Sequence, residues 1–320
     1  MDTEKHKHIA SISGGKDSTA LLILAKLERG IDIDPVFADT GHEHPLTYKY
    51  LEYLDKELGP IRTVKADFER LMKGKRAFIR KHWKDDGVPQ ERIDRALELI
   101  RPTGNVFLDL CLWKGRFPST RRRFCSEQLK HVPIREQVVE PIQGDGYTVI
   151  SWQGVRADES FSRRDLPIVD EPEDNLIVYR PLIHWSANDV FEMHKRYGIE
   201  WNPLYEQGMG RVGCMPCIHV RKGELREIAL RFPEQIERLA EWEKLVSEGS
   251  KRGSSMFIDV RNIEKVDTKN VSYLTHGVDK AVAWSMTTHG GRQLDLLSIN
   301  RSPEELEMCS SIYGLCESAE

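Results

Sequence analysis

A short apolar run, Ile9-Ala10-Ser11-Ile12, ends in Ser13-Gly14-Gly15-Lys16-Asp17-Ser18, and apolar side chains then recur at helical spacing from Ser18 to Leu27. Strand, glycine turn and helix in direct succession leave few architectures open, because this is the opening half of a right-handed crossover in a parallel sheet. Such a turn aims several backbone N–H groups, and the positive end of the helix dipole, at one anion. Ser13 and Ser18 add hydroxyl donors, Lys16 a cation for the outer phosphates, and Asp17 a carboxylate for Mg²⁺. A plain strand-to-helix turn, with Asp17 or Ser18 as a helix cap, accounts for the glycines. It does not account for lysine, aspartate and serine arriving together. Ala10 stands where a Walker A loop requires its first glycine, and the spacing is not a Rossmann fingerprint either.

The alternation continues. Pro35-Val36-Phe37-Ala38 reads as a second strand ending at Asp39-Thr40-Gly41, followed by a helix over residues 45–58 and a third strand near 61–64. Residues 68–113 interrupt the pattern with two expected helices, dense in Lys and Arg, as an insertion over the sheet edge. A helix near 127–139 and a strand over 147–152 resume the core, and helices and loops fill the chain beyond Asn188. The fold class is therefore α/β: a parallel sheet flanked by helices, with a helical insertion and a mainly helical C-terminal region. The expected division is a nucleotide-binding domain over 1–220 and a helical region over 221–320, with the polar stretch 247–255 as a candidate linker.

Composition narrows the function classes. The 320 residues, 39% of them apolar, suffice for a sizeable core, and no apolar run long enough for a membrane span occurs. The charged opening, Met1 to His8, lacks the apolar stretch of a signal peptide, so a cytoplasmic location with no membrane partner is the expectation. Six cysteines are too few for a disulfide scaffold, which leaves metal, cluster or nucleophile roles open. The formal charge of -4 hides an asymmetry: residues 61–135 hold 19 Lys or Arg against 9 Asp or Glu. That excess suggests an anionic partner, nucleic acid included, with Phe78, Trp83 and Trp113 interleaved as in a basic and aromatic groove; a solvated charged face is the plainer explanation.

Ser-Gly-Gly-Lys-Asp-Ser resembles the PP-loop of the adenine-nucleotide α-hydrolase superfamily, whose fold is of the HUP type and whose members cleave ATP between the α and β phosphates. Asp39-Thr40-Gly41-His42-Glu43-His44-Pro45 resembles the corresponding segment of the phosphoadenosine-phosphosulfate (PAPS) reductase branch. Three later segments extend the likeness: Arg123-Phe124-Cys125 with Leu129-Lys130 and Pro133; Gly154-Val155-Arg156 through Glu159-Ser160 to Arg163; and Asn202-Pro203-Leu204-Tyr205 through Gly208 to Gly213-Cys214-Met215-Pro216-Cys217. They span residues 9 to about 220 in family order. The resemblance implies ATP with Mg²⁺ as ligand, held by residues 13–18, Asp39, Gly41, Arg156 and Arg163, with Lys16, Asp17 and Arg156 catalytic. Arg156 and Arg163 offer bidentate donors to a tetrahedral oxyanion. His42 and His44, in a turn, are expected to be solvated rather than zinc ligands.

Cys214 and Cys217 form a C-x-x-C turn that can set two thiolates on one metal, and Cys125 is a distant third. By spacing alone a zinc knuckle, a redox pair and small buried apolar residues stay open. The resemblance adds a [4Fe-4S] cluster, zinc being the alternative. The chain has Phe124-Cys125 where cluster-bearing reductases have adjacent cysteines, which leaves the fourth ligand to Cys309 or Cys316, with Cys111 a poorer candidate, or to an open iron able to take sulfide. The reductases' C-terminal Glu-Cys-Gly-Leu-His is also missing; Gly314-Leu315-Cys316-Glu317 has a different order. With Lys16 and Asp17 retained, this favours ATP-driven sulfur transfer, drawing on a sulfur-donor protein, over reduction of PAPS to sulfite. A nucleic-acid-binding protein that kept the fold without the chemistry is the non-enzymatic alternative.

Overall fold

The computed structural model describes residues 5–159, 163–258 and 271–288. Strands β1 (His6–Ile12), β2 (Ile33–Asp39), β3 (Arg62–Lys65), β4 (Thr148–Trp152), β5 (Val169–Glu173) and β6 (Leu176–Tyr179) form one sheet in the order β3-β2-β1-β4-β6-β5. All neighbours run parallel except β5, which pairs antiparallel with β6 at the edge. Helices α1 (Lys16–Ile23) and α2 (Pro45–Leu58) follow β1 and β2 as crossovers. Successive side chains of the strands point to opposite faces and so build two cores. Ala10 and Phe37 pack on one face with α1, α2 and the helix Ala187–Tyr197. Ile9, Val36 and Val149 pack against Val138 and Val139 on the other.

The insertion holds three helices where two were expected: α3 (Glu69–His82), α4 (Gln90–Leu99) and α5 (Val106–Lys114). The third is hidden in the sequence because α5 is apolar on nearly every side: Val106 to Leu112 are all buried, Asp109 included, so no amphipathic period shows. Residues 124–144 form one continuous helix, α6, with π-type turns over Glu127–His131 and Arg135–Val139. Each wide turn precedes a proline, Pro133 or Pro141, whose missing N–H cannot close an ordinary turn.

Helices α7 (Ala187–Tyr197), α8 (Lys222–Arg231), α9 (Pro233–Glu248), α10 (Tyr273–His276) and α11 (Val278–Ser285) complete the described chain. Leu239, Trp242 and Val246 of α9 join Phe107 and Leu110 of α5 in a third core. The stretch 247–255, expected as a linker, is instead a packed turn. Ser247, Ser250 and Ser255 are buried there; the Ser247 hydroxyl donates to the Ser255 carbonyl at 3.0 Å, and the Ser255 hydroxyl accepts the Phe117 N–H at 3.1 Å. Serine hydroxyls that satisfy buried backbone groups look in sequence like linker polarity.

Candidate active site

The loop after β1 and the loop after β4 lie side by side at the carboxyl ends of neighbouring strands, since β1 pairs with β2 on one side and β4 on the other. That change of direction opens the crevice where open α/β sheets bind ligands. Gly14 has φ +73°, and a Cβ on it would stand 2.8 Å from the Thr47 side chain. The Ser13 N–H donates to the Ser18 hydroxyl at 3.2 Å, and that hydroxyl donates to the Gly15 carbonyl at 3.0 Å, closing the turn on itself. Gly15 occupies the N-cap of α1 with no side-chain cap, so neither Asp17 nor Ser18 serves as the helix cap.

Three residues from the second half of the chain hold this loop. Asn202, fully buried, donates to the Gly14 carbonyl at 3.1 Å; the Tyr205 hydroxyl accepts the Lys16 N–H at 3.0 Å; and the His194 ring lies between two carbonyls, Nε2 at 3.0 Å from that of Lys16 and Nδ1 at 3.1 Å from that of Ile199. Asn202 and Tyr205 belong to the family-like segment 202–217, yet nothing in that string marks them as supports of the loop. His194 lies on α7 and carries no sequence signal at all. The loop's charges are also tied down. Arg156, buried with 2% of its side chain exposed, donates through Nε to Asp17 and pairs with Asp158 at 2.5 Å. Lys16 Nζ reaches the other Asp17 oxygen at 3.4 Å and lies over the Tyr205 ring at 5.4 Å. Asp17 is thus a carboxylate between two cations at the foot of the glycine loop. Arg163, by contrast, pairs with Glu159.

On the next strand, Asp39 accepts the Gly41 N–H and the Tyr48 hydroxyl, both at 2.8 Å, and pairs with Lys65 at 3.1 Å. Gly41, at φ +69°, leaves room for Asn105, whose amide donates to the Gly41 carbonyl at 2.6 Å. Asn105 also caps α5, so the insertion is anchored to this turn.

His42 and His44 are buried, not solvated. His42 lies among Phe107, Trp242 and Phe257, and its Nε2 donates to the Pro216 carbonyl at 2.9 Å. A carbonyl only accepts, so Nδ1 carries no proton and faces Arg238 at 3.4 Å. Burial, reinforced by Arg238, lowers the His42 pKa to about 3. From its ordinary 6.5 down to that value, an unfolded chain takes up a proton that the folded chain refuses, so stability is lost as pH falls through this window. This histidine is expected to remove about 3 kcal/mol between pH 6.5 and 4. Urea midpoints at the two pH values should therefore differ less in His42→Gln, which keeps a donor but cannot titrate; equal differences would refute the assignment. His44, also buried, accepts the Leu46 N–H as the N-cap of α2.

The His42 carbonyl accepts the Met215 N–H at 2.8 Å, which joins this turn to the cysteine loop. Cys214 lies 3.8 Å from Glu43 and 3.5 Å from the Thr40 hydroxyl. Burial pushes the Cys214 thiol up to about 12, against the pull of Lys130. Burial and then Cys217 raise Cys125. Cys214, then burial in the opposite sense, then Glu43 act on Lys130, whose pKa is raised overall. Cys125, Cys214 and Cys217 are all free, and Cys217 is near enough to both others to raise them; Cys111, buried in the third core, is raised in turn by burial and then by Cys125, which packs against that core. Among the described residues no group of three His, Cys, Asp or Glu side chains stands where it could hold one metal ion. Cys309 and Cys316 lie outside the described residues.

A six-stranded α/β sheet with a glycine-turn anion loop at its switch point defines an adenine-nucleotide-type binding fold. Residues 7–220 match the model of the phosphoadenosine phosphosulfate reductase domain. The chain belongs to that family of enzymes. It is 50% identical to an uncharacterized 37.8 kDa protein in the gpa 5′ region of Escherichia phage 186, over 97% of this chain and 96% of that one. It is 32% identical to an adenosine 5′-phosphosulfate reductase of Geobacillus thermodenitrificans over 108 residues, covering 33% of this chain and 40% of the relative. The PAPS reductase of Candida auris, solved as a phosphate complex, aligns with a TM-score of 0.41 at 18% identity, over 66% of this chain and 82% of that one. Among the described residues no helix is long and apolar enough to cross a membrane.

Proposed function

We propose that this chain is an ATP pyrophosphatase of the PAPS reductase family. In this reading it binds ATP with Mg²⁺ through residues 13–18, Asp39, Gly41, Arg156 and Arg163, and transfers AMP to an acceptor oxygen that sulfur then replaces. The observation that carries it is the Lys16–Asp17–Arg156 arrangement at the glycine loop. Backbone N–H groups at the start of α1 receive the phosphates. Lys16 leaves Asp17 for the outer phosphates, and Asp17, held by Arg156, orients the Mg²⁺ or its water shell. The reacting bond is Pα–O: the acceptor oxygen attacks the α-phosphorus, and pyrophosphate departs with the electron pair, its charge met by Lys16; a Mg²⁺ held near Asp17 would add further charge neutralisation there. With ATP, a sulfur source and the acceptor, pyrophosphate is the expected product. Sulfite release from PAPS with thioredoxin, lost in Cys316→Ser and unaccompanied by ATP turnover, would replace this reading with that of a sulfonucleotide reductase.

The [4Fe-4S] cluster implied by the resemblance is proposed on Cys125, Cys214 and Cys217, and it would supply an iron able to bind sulfide. Three thiols beside the cationic Lys130 support it in donor chemistry. Anaerobically purified protein is expected to contain iron and to lose it in Cys214→Ser; stoichiometric zinc without iron, or iron unaffected by that substitution, would overturn the cluster. A nucleic acid is the acceptor class that the basic insertion favours, and a sulfur-donor protein is the implied source.

A further inference from the structure

The expected basic and aromatic groove does not form as the sequence suggested. Trp83 is buried at 2% exposure, and Trp113 stacks on Phe68 at 5.7 Å. What the insertion presents instead is α3. Its 14 residues carry Arg70, Lys73, Lys75, Arg76, Arg80 and Lys81 against the single acid Glu69. Met72 and Ile79, with Trp83 just beyond, turn one side of the helix into the third core, leaving the opposite side outward. Arg70 and Lys81 lie opposite Met72 and Ile79, and Arg80 is exposed beside them, whereas Arg76, four residues after Met72 and three before Ile79, is half-buried at the core-facing edge. Lys73 is paired with Glu69 at 2.7 Å. Among the described residues, Arg70, Arg76, Arg80 and Lys81 have no carboxylate within ion-pair reach.

These cations are also crowded. Burial first, and then Arg101 and Arg80, lower the pKa of the Arg76 guanidinium, and its buried Nε has no hydrogen-bond partner. Like charges held this close destabilise a fold unless an anion neutralises them. Apolar groups are exposed within the same field: Leu71 at 40% and Phe78 at 49%, the Phe78 ring 4.6 Å from His82 and 5.8 Å from the Lys75 ammonium. An acidic protein segment or an anionic lipid surface would meet the charge. Exposed cations spread along a helix about 21 Å long, beside an exposed aromatic ring, suit repeating phosphates with bases between them.

We infer that the outward face of α3 is a docking surface for a nucleic acid, which it holds through the phosphates by Arg70, Arg80 and Lys81, with Arg76 at the flank next to the core, and contacts with Phe78. Binding does not depend on the proposed sulfur chemistry. Only the further step, that the docked nucleic acid is the sulfur acceptor, rests on that reading. Pyrophosphate release measured without nucleic acid separates the two.

The test is fluorescence anisotropy of a labelled 20-nucleotide single strand, and of the same sequence as a duplex, with the full chain from about 50 to 300 mM salt. Affinity is expected to fall steeply with salt. Arg70→Gln/Arg80→Gln, at two exposed positions, should weaken binding at least about tenfold at the lowest salt and flatten the log–log salt slope by about 1.5, the loss of two phosphate contacts. Arg80→Glu/Lys81→Glu, at two exposed positions, should do the same with an unchanged melting temperature, which guards against misfolding as the cause. Phe78→Ala should weaken the single strand more than the duplex. The inference is overturned by absence of oligonucleotide binding at the lowest salt, by affinities that neither charge variant changes, or by charge-dependent capture of phosphatidylserine vesicles without oligonucleotide binding.

Discussion

On the proposed ATP chemistry, Lys16→Ala is expected to lower acceptor-dependent pyrophosphate release by about 100- to 1000-fold, the cost of deleting one preorganised charge from a site of transition-state stabilisation. The backbone of the loop is already fixed by Asn202, Tyr205 and His194, so truncating Lys16 beyond Cβ leaves the main-chain hydrogen bonds in place. What is lost is the only side-chain cation within the six-residue glycine loop itself. Arg156 does not replace it, because its guanidinium is engaged by Asp17 and Asp158. Labelled ATP should bind more weakly, with the larger loss in turnover, since charge builds on the departing pyrophosphate. Lys16→Arg should recover part of the binding and little of the rate, because a planar guanidinium on a longer stem cannot occupy the ammonium's position. Unchanged ATP binding and turnover in Lys16→Ala would remove residues 13–18 from the nucleotide site.

The legible parts of this protein are those in which one short segment carries its own physics. The glycine loop announces itself because strand, turn and helix follow without interruption, and α2 falls at residues 45–58 as its pattern indicates. Pro45 at its first position and Gly59 just past its end mark both limits. Strand β5 leaves no such trace. β5 is Val-Asp-Glu-Pro-Glu, polar and largely exposed at a sheet edge, with its proline at the irregular pairing between Asp170 and Glu173; nothing in that string alternates. His42 misleads for a related reason. A turn of seven polar-looking residues suggests solvent, yet Phe107, Trp242 and Phe257 that cover it come from α5 and from 65 or more residues away in sequence. Tertiary cover of that kind has no local signature. The same holds for His194, which reaches Lys16 across 178 residues.

Gly154→Ala should damage the glycine loop from the segment that follows β4. A Cβ there would stand 2.8 Å from the Asp17 carbonyl oxygen and 3.0 Å from the Ser18 Cα. These are backbone atoms, so no side chain can rotate aside, and either the end of β4 or the first turn of α1 must move. Overpacking of this sort costs about 1–3 kcal/mol. The functional loss should be larger than the loss of stability, because the displaced turn carries the N–H groups, Lys16 and Asp17 together, and a misplacement near 1 Å costs about 100-fold in rate. Arg156, two residues on, would shift relative to Asp17 at the same time. Gly74→Ala is the control: Gly74 lies within α3, and a methyl group added there would meet nothing within 4 Å beyond the backbone of its own helix and its chain neighbours, so alanine should raise stability by about 0.5–1 kcal/mol. Thermal melting and ATP titration of both variants test the pair. If Gly154→Ala melts with the wild type and binds ATP with unchanged affinity, then β4 does not press on the phosphate loop, and Arg156 loses its assignment as the group that holds Asp17 in place.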